Sequence, residues 1–208
     1  MSFSKNGYEV VRNVISKDLL HHLKIQFEML RNNHFFLTKE TNKFAFGDSV
    51  SPNSFCVYCP PFSESLAIKF HDQISEITNF KLYPTYTLAR IYYKGAILPP
   101  HIDRPACEIS ISLCVDSTYI WDFFIKDKNE QKKTLSLNPG DMCVYSGCEL
   151  THWREPYQGE MQMQMLLHYV NINGTKADHQ YDKRPMMGLR TAVSEELQKR
   201  KNSILNYS

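Results

Sequence analysis

Apolar positions at helical spacing open the chain. Leu19, Leu20, Leu23, Phe27 and Leu30 recur every three or four residues, with Ser16 ahead of them as an N-cap. The pattern predicts a helix that ends near Asn32-Asn33. A second stripe of Leu66, Phe70, Ile74 and Ile77 predicts another helix, capped by Ser63. Tyr8 to Val14 predicts a short strand before the first helix. Residues 34–62 carry no period and hold Pro52, Pro60 and Pro61, which predicts a long irregular segment of the kind that carries specificity. After Asn79 the character changes to short runs of Tyr, Ile, Val and Thr separated by turn residues. Strands are expected near 84–93, 106–115, 119–126, 132–137, 142–145 and 161–170. Asn138-Pro139-Gly140-Asp141 is a turn. A last helix is expected over 192–202, from Thr191 or Ser194.

Alternation assigns faces to two of these strands. Ile109, Ile111, Leu113 and Val115 oppose Glu108, Ser110, Ser112 and Cys114. Met161, Met163, Met165, Leu167 and Tyr169 oppose Gln162, Gln164, Leu166 and His168. A single strand with one polar face is ordinarily half exposed. Two such strands, each following part of a candidate ligand set, predict a polar cavity inside a barrel. The methionine face then packs on the N-terminal helices. The expected fold class is mainly β with flanking helices (α+β), a curved antiparallel sheet or barrel backed by helices. With 208 residues, 42% of them hydrophobic, one domain over 1–208 is expected. Its parts are a helical support over 1–79, a barrel core over about 80–172 and a C-terminal extension over 173–208.

A net charge of +2 gives no footprint for nucleic acid, and the late cluster of Lys and Arg reads as a solvated face. The first residues lack the apolar run of a signal peptide, and no apolar stretch is long enough to span a bilayer. A cytoplasmic protein with no membrane partner is expected. Its six cysteines then read as thiols, and Cys56-Val57-Tyr58-Cys59 as two packed thiols because no second pair follows at zinc-ligand spacing.

The candidate chemistry lies in Pro99-Pro100-His101-Ile102-Asp103 and in Glu149-Leu150-Thr151-His152-Trp153-Arg154. Two imidazoles and one carboxylate make the facial triad of non-haem iron(II) sites, which leaves open positions on the metal. His101 and Asp103 need a bend or strand end to converge, and Pro99, Pro100 and Pro105 supply one. The remaining histidines read as structural, except His168 on the polar strand face.

In this order the motifs resemble iron(II)- and 2-oxoglutarate-dependent dioxygenases of the prolyl 4-hydroxylase kind. Arg90-Ile91-Tyr92-Tyr93-Lys94-Gly95-Ala96 resembles the strand and turn before the ligand pair His101 and Asp103. Asn138 to Tyr145 resembles the turn and strand leading to the distal ligand His152, and 161–170 the closing strand. The resemblance runs from about Gly7 to Pro185. It implies a double-stranded β-helix of the jelly-roll or cupin kind, Fe(II) held by His101, Asp103 and His152, 2-oxoglutarate as co-substrate and O2 as oxidant. It further implies hydroxylation of a substrate C–H bond with release of succinate and CO2. Asp103 separates the chain from the halogenase variant, which lacks the carboxylate ligand.

One departure stands out. Relatives place a Lys or Arg on the strand after the distal His, to pair with the 5-carboxylate of 2-oxoglutarate. Here that stretch reads Met161-Gln162-Met163-Gln164. The candidate replacements are Arg90, which shares a strand face with the co-substrate candidate Tyr92, then Arg154, then Arg104. Gln162 and Gln164 are further candidate contacts of the co-substrate. Arg104, Trp121 and His168 are candidate substrate contacts. Two other classes remain open: a cupin-like metalloenzyme that does not use 2-oxoglutarate, and a non-catalytic barrel that binds a ligand. The substrate is a peptidyl residue or a small molecule.

Overall fold

The computed structural model describes residues 2–41, 51 and 53–189. In chain order these form α1 (Ser2–Asn6), β1 (Tyr8–Val11), α2 (Lys17–Thr41), β2 (Ser54–Tyr58), α3 (Pro61–Thr78), β3 (Leu82–Tyr93) and β4 (Leu98–His101). A 3-10 turn (Pro105–Cys107) leads into β5 (Ile109–Ser117), β6 (Phe123–Lys126), β7 (Lys132–Leu135), β8 (Met142–Ser146), β9 (His152–Arg154) and β10 (Met161–Asn171). A kinked 3-10 segment (Ala177–Lys183) follows.

The strands make two antiparallel sheets, one ordered β1-β8-β5-β10-β3-β2 and the other β4-β9-β6-β7. Together they are a double-stranded β-helix. In the larger sheet β10 lies between β5 and β3, with Gln164 opposite Cys114 on one side and Arg90 on the other. Its outer face carries Met163, Met165, Leu167 and Tyr169, all fully buried. They join Leu23 and Phe27 of α2 and Leu66, Phe70 and Ile74 of α3 in one core. Each such side chain contributes about 1.5–3 kcal/mol on burial. Tyr169 settles its hydroxyl on the Ala67 carbonyl oxygen at 2.6 Å. The expected contact of the methionine face with the N-terminal helices is therefore present.

Several local expectations are corrected. The first helix runs to Thr41, because Asn32 and Asn33 are only mildly unfavourable inside a helix and no Gly or Pro follows to stop it. The segment expected to be irregular over 34–62 contains the end of α2, all of β2 and the start of α3. Strand β2 was concealed by its brevity and nearby prolines, yet it pairs with β3 from Ser54↔Tyr92 to Tyr58↔Leu88. The N-terminal part thus adds two strands, β1 and β2, to the larger sheet.

Ser63 is no cap: Pro60 is, at φ −66, with Pro61 in the first turn. The Ser63 hydroxyl instead meets the Pro60 carbonyl oxygen at 3.1 Å and Thr87 Oγ1 at 2.5 Å. Ser16 does cap α2, accepting the Leu19 amide at 3.3 Å. The first strand stops at Val11, ahead of Asn13 at φ 53, and the strand expected from residue 119 begins only at Phe123. The helix expected over 192–202 lies outside the described residues.

Candidate metal centre and its cavity

Strands β4 and β9 pair at their ends, so that His101 faces His152 with ring centroids 4.3 Å apart. Strand β4 stops at His101, and the chain turns so that the Asp103 amide donates to the Gly147 carbonyl oxygen at 2.8 Å. Asp103 Oδ1 is then 3.5 Å from Nε2 of His101 and 3.5 Å from Nε2 of His152. The three donor atoms lie within 4.8 Å of one another.

Backbone carbonyls orient both rings. His101 Nδ1 lies 2.8 Å from the Pro99 oxygen and His152 Nδ1 2.9 Å from the Leu150 oxygen. A carbonyl can only accept, so each Nδ1 carries the proton and, in the neutral ring, each Nε2 presents its lone pair to Asp103. Ser110 donates to the other carboxylate oxygen, Oδ2, at 2.7 Å. Burial pushes the Asp103 pKa up, but the imidazoles, when protonated, donate to it and outweigh burial, so that they hold the carboxyl well below the usual range. For His101 burial lowers the pKa, and the Asp103 and Pro99 contacts raise it further than that. Two lone pairs and a carboxylate converging on one point make a good cation site.

A cavity of about 360 Å³ opens beside these atoms. The polar strand faces form much of its wall: Arg90 from β3, Ser112 from β5, and Gln164, Leu166 and His168 from β10. Gln162 is buried but stands behind Gln164, to which it donates at 2.6 Å. Gln164 in turn donates to Ser112 Oγ at 2.7 Å. Tyr92 also lines the cavity, edge-on to Trp121 at 4.9 Å. Trp121 is a second layer, packed between Tyr92 and Tyr157.

The three candidate arginines all line the cavity and differ in their surroundings. Arg104 sits at the rim, stacked over Tyr86 at 4.2 Å and held by Asp182 through two bonds of 2.8 Å. Arg90 donates to Ser54 Oγ at 3.0 Å and lies 5.7 Å from the Tyr92 ring centre. Arg154 is 2% exposed. It donates to the Trp121 carbonyl oxygen and, at 3.5 Å, to Ser112 Oγ. Among the described residues no carboxylate pairs with it, and burial pushes its pKa down.

Tyr86, Cys107, Tyr145 and Asp182 belong to the surroundings of the site without having been singled out from the sequence. Tyr145 stacks edge-on to His152 at 4.8 Å, and Cys107 joins Asp103 and His168 in a second group of donor atoms within 4.8 Å. Tyr86 was legible in principle, since it shares a strand face with Arg90 and Tyr92. Asp182 left no signal, because its turn depends on three successive left-handed residues, Tyr181, Asp182 and Lys183.

Neither protein-family models nor curated protein sequences give a match to this chain. Solved structures do, and they share the double-stranded β-helix. A Pseudomonas putida prolyl-4-hydroxylase superposes with a TM-score of 0.64 at 12% identity, over 82% of this chain and 95% of that one. The non-haem α-ketoglutarate-dependent epimerase SnoN of nogalamycin biosynthesis gives 0.66 at 10% identity, over 92% and 89%. HygX from Streptomyces hygroscopicus, solved with nickel, 2-oxoglutarate and hygromycin B, gives 0.62 at 10%, over 84% and 87%. At these identities the likeness is one of fold.

Proposed function

We propose that this protein is an iron(II)- and 2-oxoglutarate-dependent dioxygenase that hydroxylates a C–H bond of a small-molecule or peptidyl substrate. The observation that carries the reading is the convergence of His101 Nε2, Asp103 Oδ1 and His152 Nε2, with both Nδ1 atoms tied to backbone carbonyls. That donor set fits a divalent iron and keeps part of its coordination sphere open. Bound there with 2-oxoglutarate, iron would couple decarboxylation of the co-substrate to succinate and CO2 with insertion of one O2 oxygen into the substrate. The neighbours named above, which include a hydroxylase and a protein holding 2-oxoglutarate, support the same chemistry.

The chain's own residues divide the work. His101, Asp103 and His152 hold the metal, and Ser110 steadies the carboxylate. Arg154 holds the 5-carboxylate of 2-oxoglutarate and stands ahead of Arg90 as candidate, because a buried guanidinium without an anion is costly and a bound carboxylate would neutralise it. Ser112 and Gln164 line the same pocket, while Gln162 supports Gln164 from behind. Tyr92 and Arg90 close the deep wall. Arg104 at the rim and the buried His168 on the wall are the residues placed against the substrate, and Trp121 backs the wall rather than touching it.

The cavity is at the small end of ligand pockets, which suits a small molecule or a single side chain. No helix among the described residues is long and apolar enough to cross a membrane. The six cysteines are free thiols.

The missing cation on β10 is the one observation favouring a cupin-like enzyme without 2-oxoglutarate, and a single experiment separates the two. Full-length protein is stripped of metal, titrated with cobalt(II), then assayed with iron(II), 2-oxoglutarate and O2 for succinate. We expect one cobalt(II) per chain, lost in His101→Ala and Asp103→Ala, and succinate that depends on both iron and 2-oxoglutarate. Metal binding without succinate would leave the cupin-like reading. Cobalt(II) binding indifferent to both substitutions would sink the metal site itself.

A further inference from the structure

His168 is the one imidazole on the cavity wall, among the described residues, outside the three proposed ligands. It stands on β10 with 4% of its surface exposed. Its tautomer follows from its neighbours. Ser110 Oγ lies 2.7 Å from Asp103 Oδ2, 3.2 Å from the Cys107 carbonyl oxygen and 3.0 Å from His168 Nδ1. The carboxylate and the carbonyl only accept, and the serine has one proton to give. That proton is claimed by the oxygen side, so His168 must donate from Nδ1 to Ser110. Burial keeps the ring neutral, with its pKa pushed down to about 4. The lone pair therefore sits on Nε2.

Nε2 has no hydrogen-bond partner among the described residues and is sheltered from solvent. Nearby donors are committed elsewhere. The Tyr86 hydroxyl faces Cys107 Sγ at 3.0 Å and accepts from Arg104 Nε at 3.3 Å. Arg104 gives one N–H from each terminal nitrogen to Asp182. A buried acceptor without a donor is a standing cost, and in a ligand cavity it is relieved when a ligand brings the donor.

We propose that His168 is a specificity-determining contact, whose Nε2 accepts a hydrogen bond from an uncharged N–H or O–H group of the substrate. The inference deepens the oxygenase reading, on which its chemistry rests. A ring nitrogen of His168 lies within 4.8 Å of an Asp103 carboxylate oxygen, so His168 belongs to the wall beside the proposed metal ligands. An ammonium group is disfavoured there because burying a full charge against a neutral ring costs far more than burying an amide or a hydroxyl. Tyr86 stacks on His168 at 4.4 Å. Substrates of this kind are amides, lactams and alcohols. Analogues with the donor methylated are rejected, because a site built to pair a polar group discriminates strongly against its loss.

The test uses the full chain labelled with 15N-histidine, metal-free and again with cobalt(II). His168 signals are assigned by their disappearance in His168→Phe, which keeps a ring against Tyr86. We expect an Nδ1-protonated, neutral His168. The protein is then titrated with 2-pyrrolidinone, which carries one N–H, and with N-methyl-2-pyrrolidinone, which carries none, following the Tyr86 ring signals. At least a tenfold preference for 2-pyrrolidinone is expected. It falls to about one in His168→Phe and is partly kept in His168→Gln, which still offers an acceptor. An Nε2-protonated or cationic ring overturns the proposal. So does equal or undetectable binding of the two probes, or a preference that survives in His168→Phe. Because the metal-free protein suffices, loss of cobalt(II) binding would count against the oxygenase reading and leave this result standing.

Discussion

Replacing Gly147 by alanine tests whether the Asp103 carboxylate is held in place by close packing. Gly147 follows β8, and its amide donates to the Glu108 carbonyl oxygen at 3.1 Å. A methyl group there would overlap Asp103 Oδ2 and the Cys107 carbonyl oxygen and lie 2.6 Å from Ser110 Oγ, where real contacts stay above 3.0 Å. The Cys107 oxygen belongs to the backbone. The other two atoms are bonded to each other at 2.7 Å, so neither retreats without breaking that bond. Losing a hydrogen bond to a charged group costs about 1.5–3 kcal/mol. Overpacking adds about 1–3 kcal/mol. The sum, about 2.5–6 kcal/mol, corresponds to roughly 5–24 °C in Tm for a chain of this size. Thermal melts of the metal-free protein read the first effect. A cobalt(II) titration reads the second, where at least a tenfold loss of affinity is expected because Asp103 is displaced. The backbone at Gly147 is not in the left-handed region. Were there room for the methyl, alanine would stabilise the fold by about 0.4–1 kcal/mol through the unfolded chain. A stabilised variant with undiminished cobalt(II) affinity would refute the reasoning.

Arg154→Met removes a buried charge while keeping volume. Isothermal titration with 2-oxoglutarate should show at least about a thirtyfold loss of affinity, from a charged contact of about 2 kcal/mol or more. Melting of the unliganded protein should be unchanged or higher, as replacing a buried charge by an apolar side chain often is. A loss of stability with intact 2-oxoglutarate binding would refute the assignment. Asp141 governs acid stability at the turn before β8. Burial raises its pKa, but Arg12 at 2.7 Å and the amides of Asn13 and Asn138 at 3.0 and 2.9 Å hold it below the usual range. A depressed carboxylate stabilises the fold fully above its unfolded pKa of about 3.9, and that contribution fades as pH falls through the folded value. Urea titrations from pH 7 to pH 2 should show that decline, and Asp141→Asn should flatten it. An unaltered pH profile would remove Asp141 from the account.

Much of the barrel is legible in the sequence because alternation is a local signal that burial on one side enforces. The two faces of β10 can be read from Met161 to Tyr169 without any partner strand. Strands β2, β4 and β9 cannot. They span five, four and three residues, and β4 contains Pro99 and Pro100, which argue against a strand on propensity alone. They exist because neighbours supply their hydrogen bonds, and pairing is not local information. The same division runs through the site. His101, Asp103 and His152 are recognisable as residue types at suggestive places. That both rings present Nε2 is not, since the Pro99 and Leu150 carbonyls that decide it are backbone atoms. The orphaned Nε2 of His168 is likewise a property of packing, visible only once Ser110, Tyr86 and Arg104 are seen to be engaged elsewhere.

The proposal that Arg154 replaces a cation on β10 rests on the arrangement of the two strands. β10 and β9 belong to the two different sheets, so their side chains approach the cavity from different walls. Gln164 reaches Ser112 Oγ from β10 at 2.7 Å, and Arg154 reaches the same oxygen from β9 at 3.5 Å. A positive charge supplied from either strand therefore arrives at one place. Moving it to β9 puts it two residues beyond His152, on the strand that also positions the metal ligand. Strand period then carries both side chains to one face, the proposed ligand His152 and the cation Arg154. The neutral amides of Gln162 and Gln164 become intelligible as well. With Arg154 and Arg90 both lining the cavity, a further cation on β10 would add like charge in a buried space, whereas amides can donate to a carboxylate without that repulsion. If Arg154 is the anchor proposed above, the departure from the pattern the sequence resembles is a relocation of charge across the cavity.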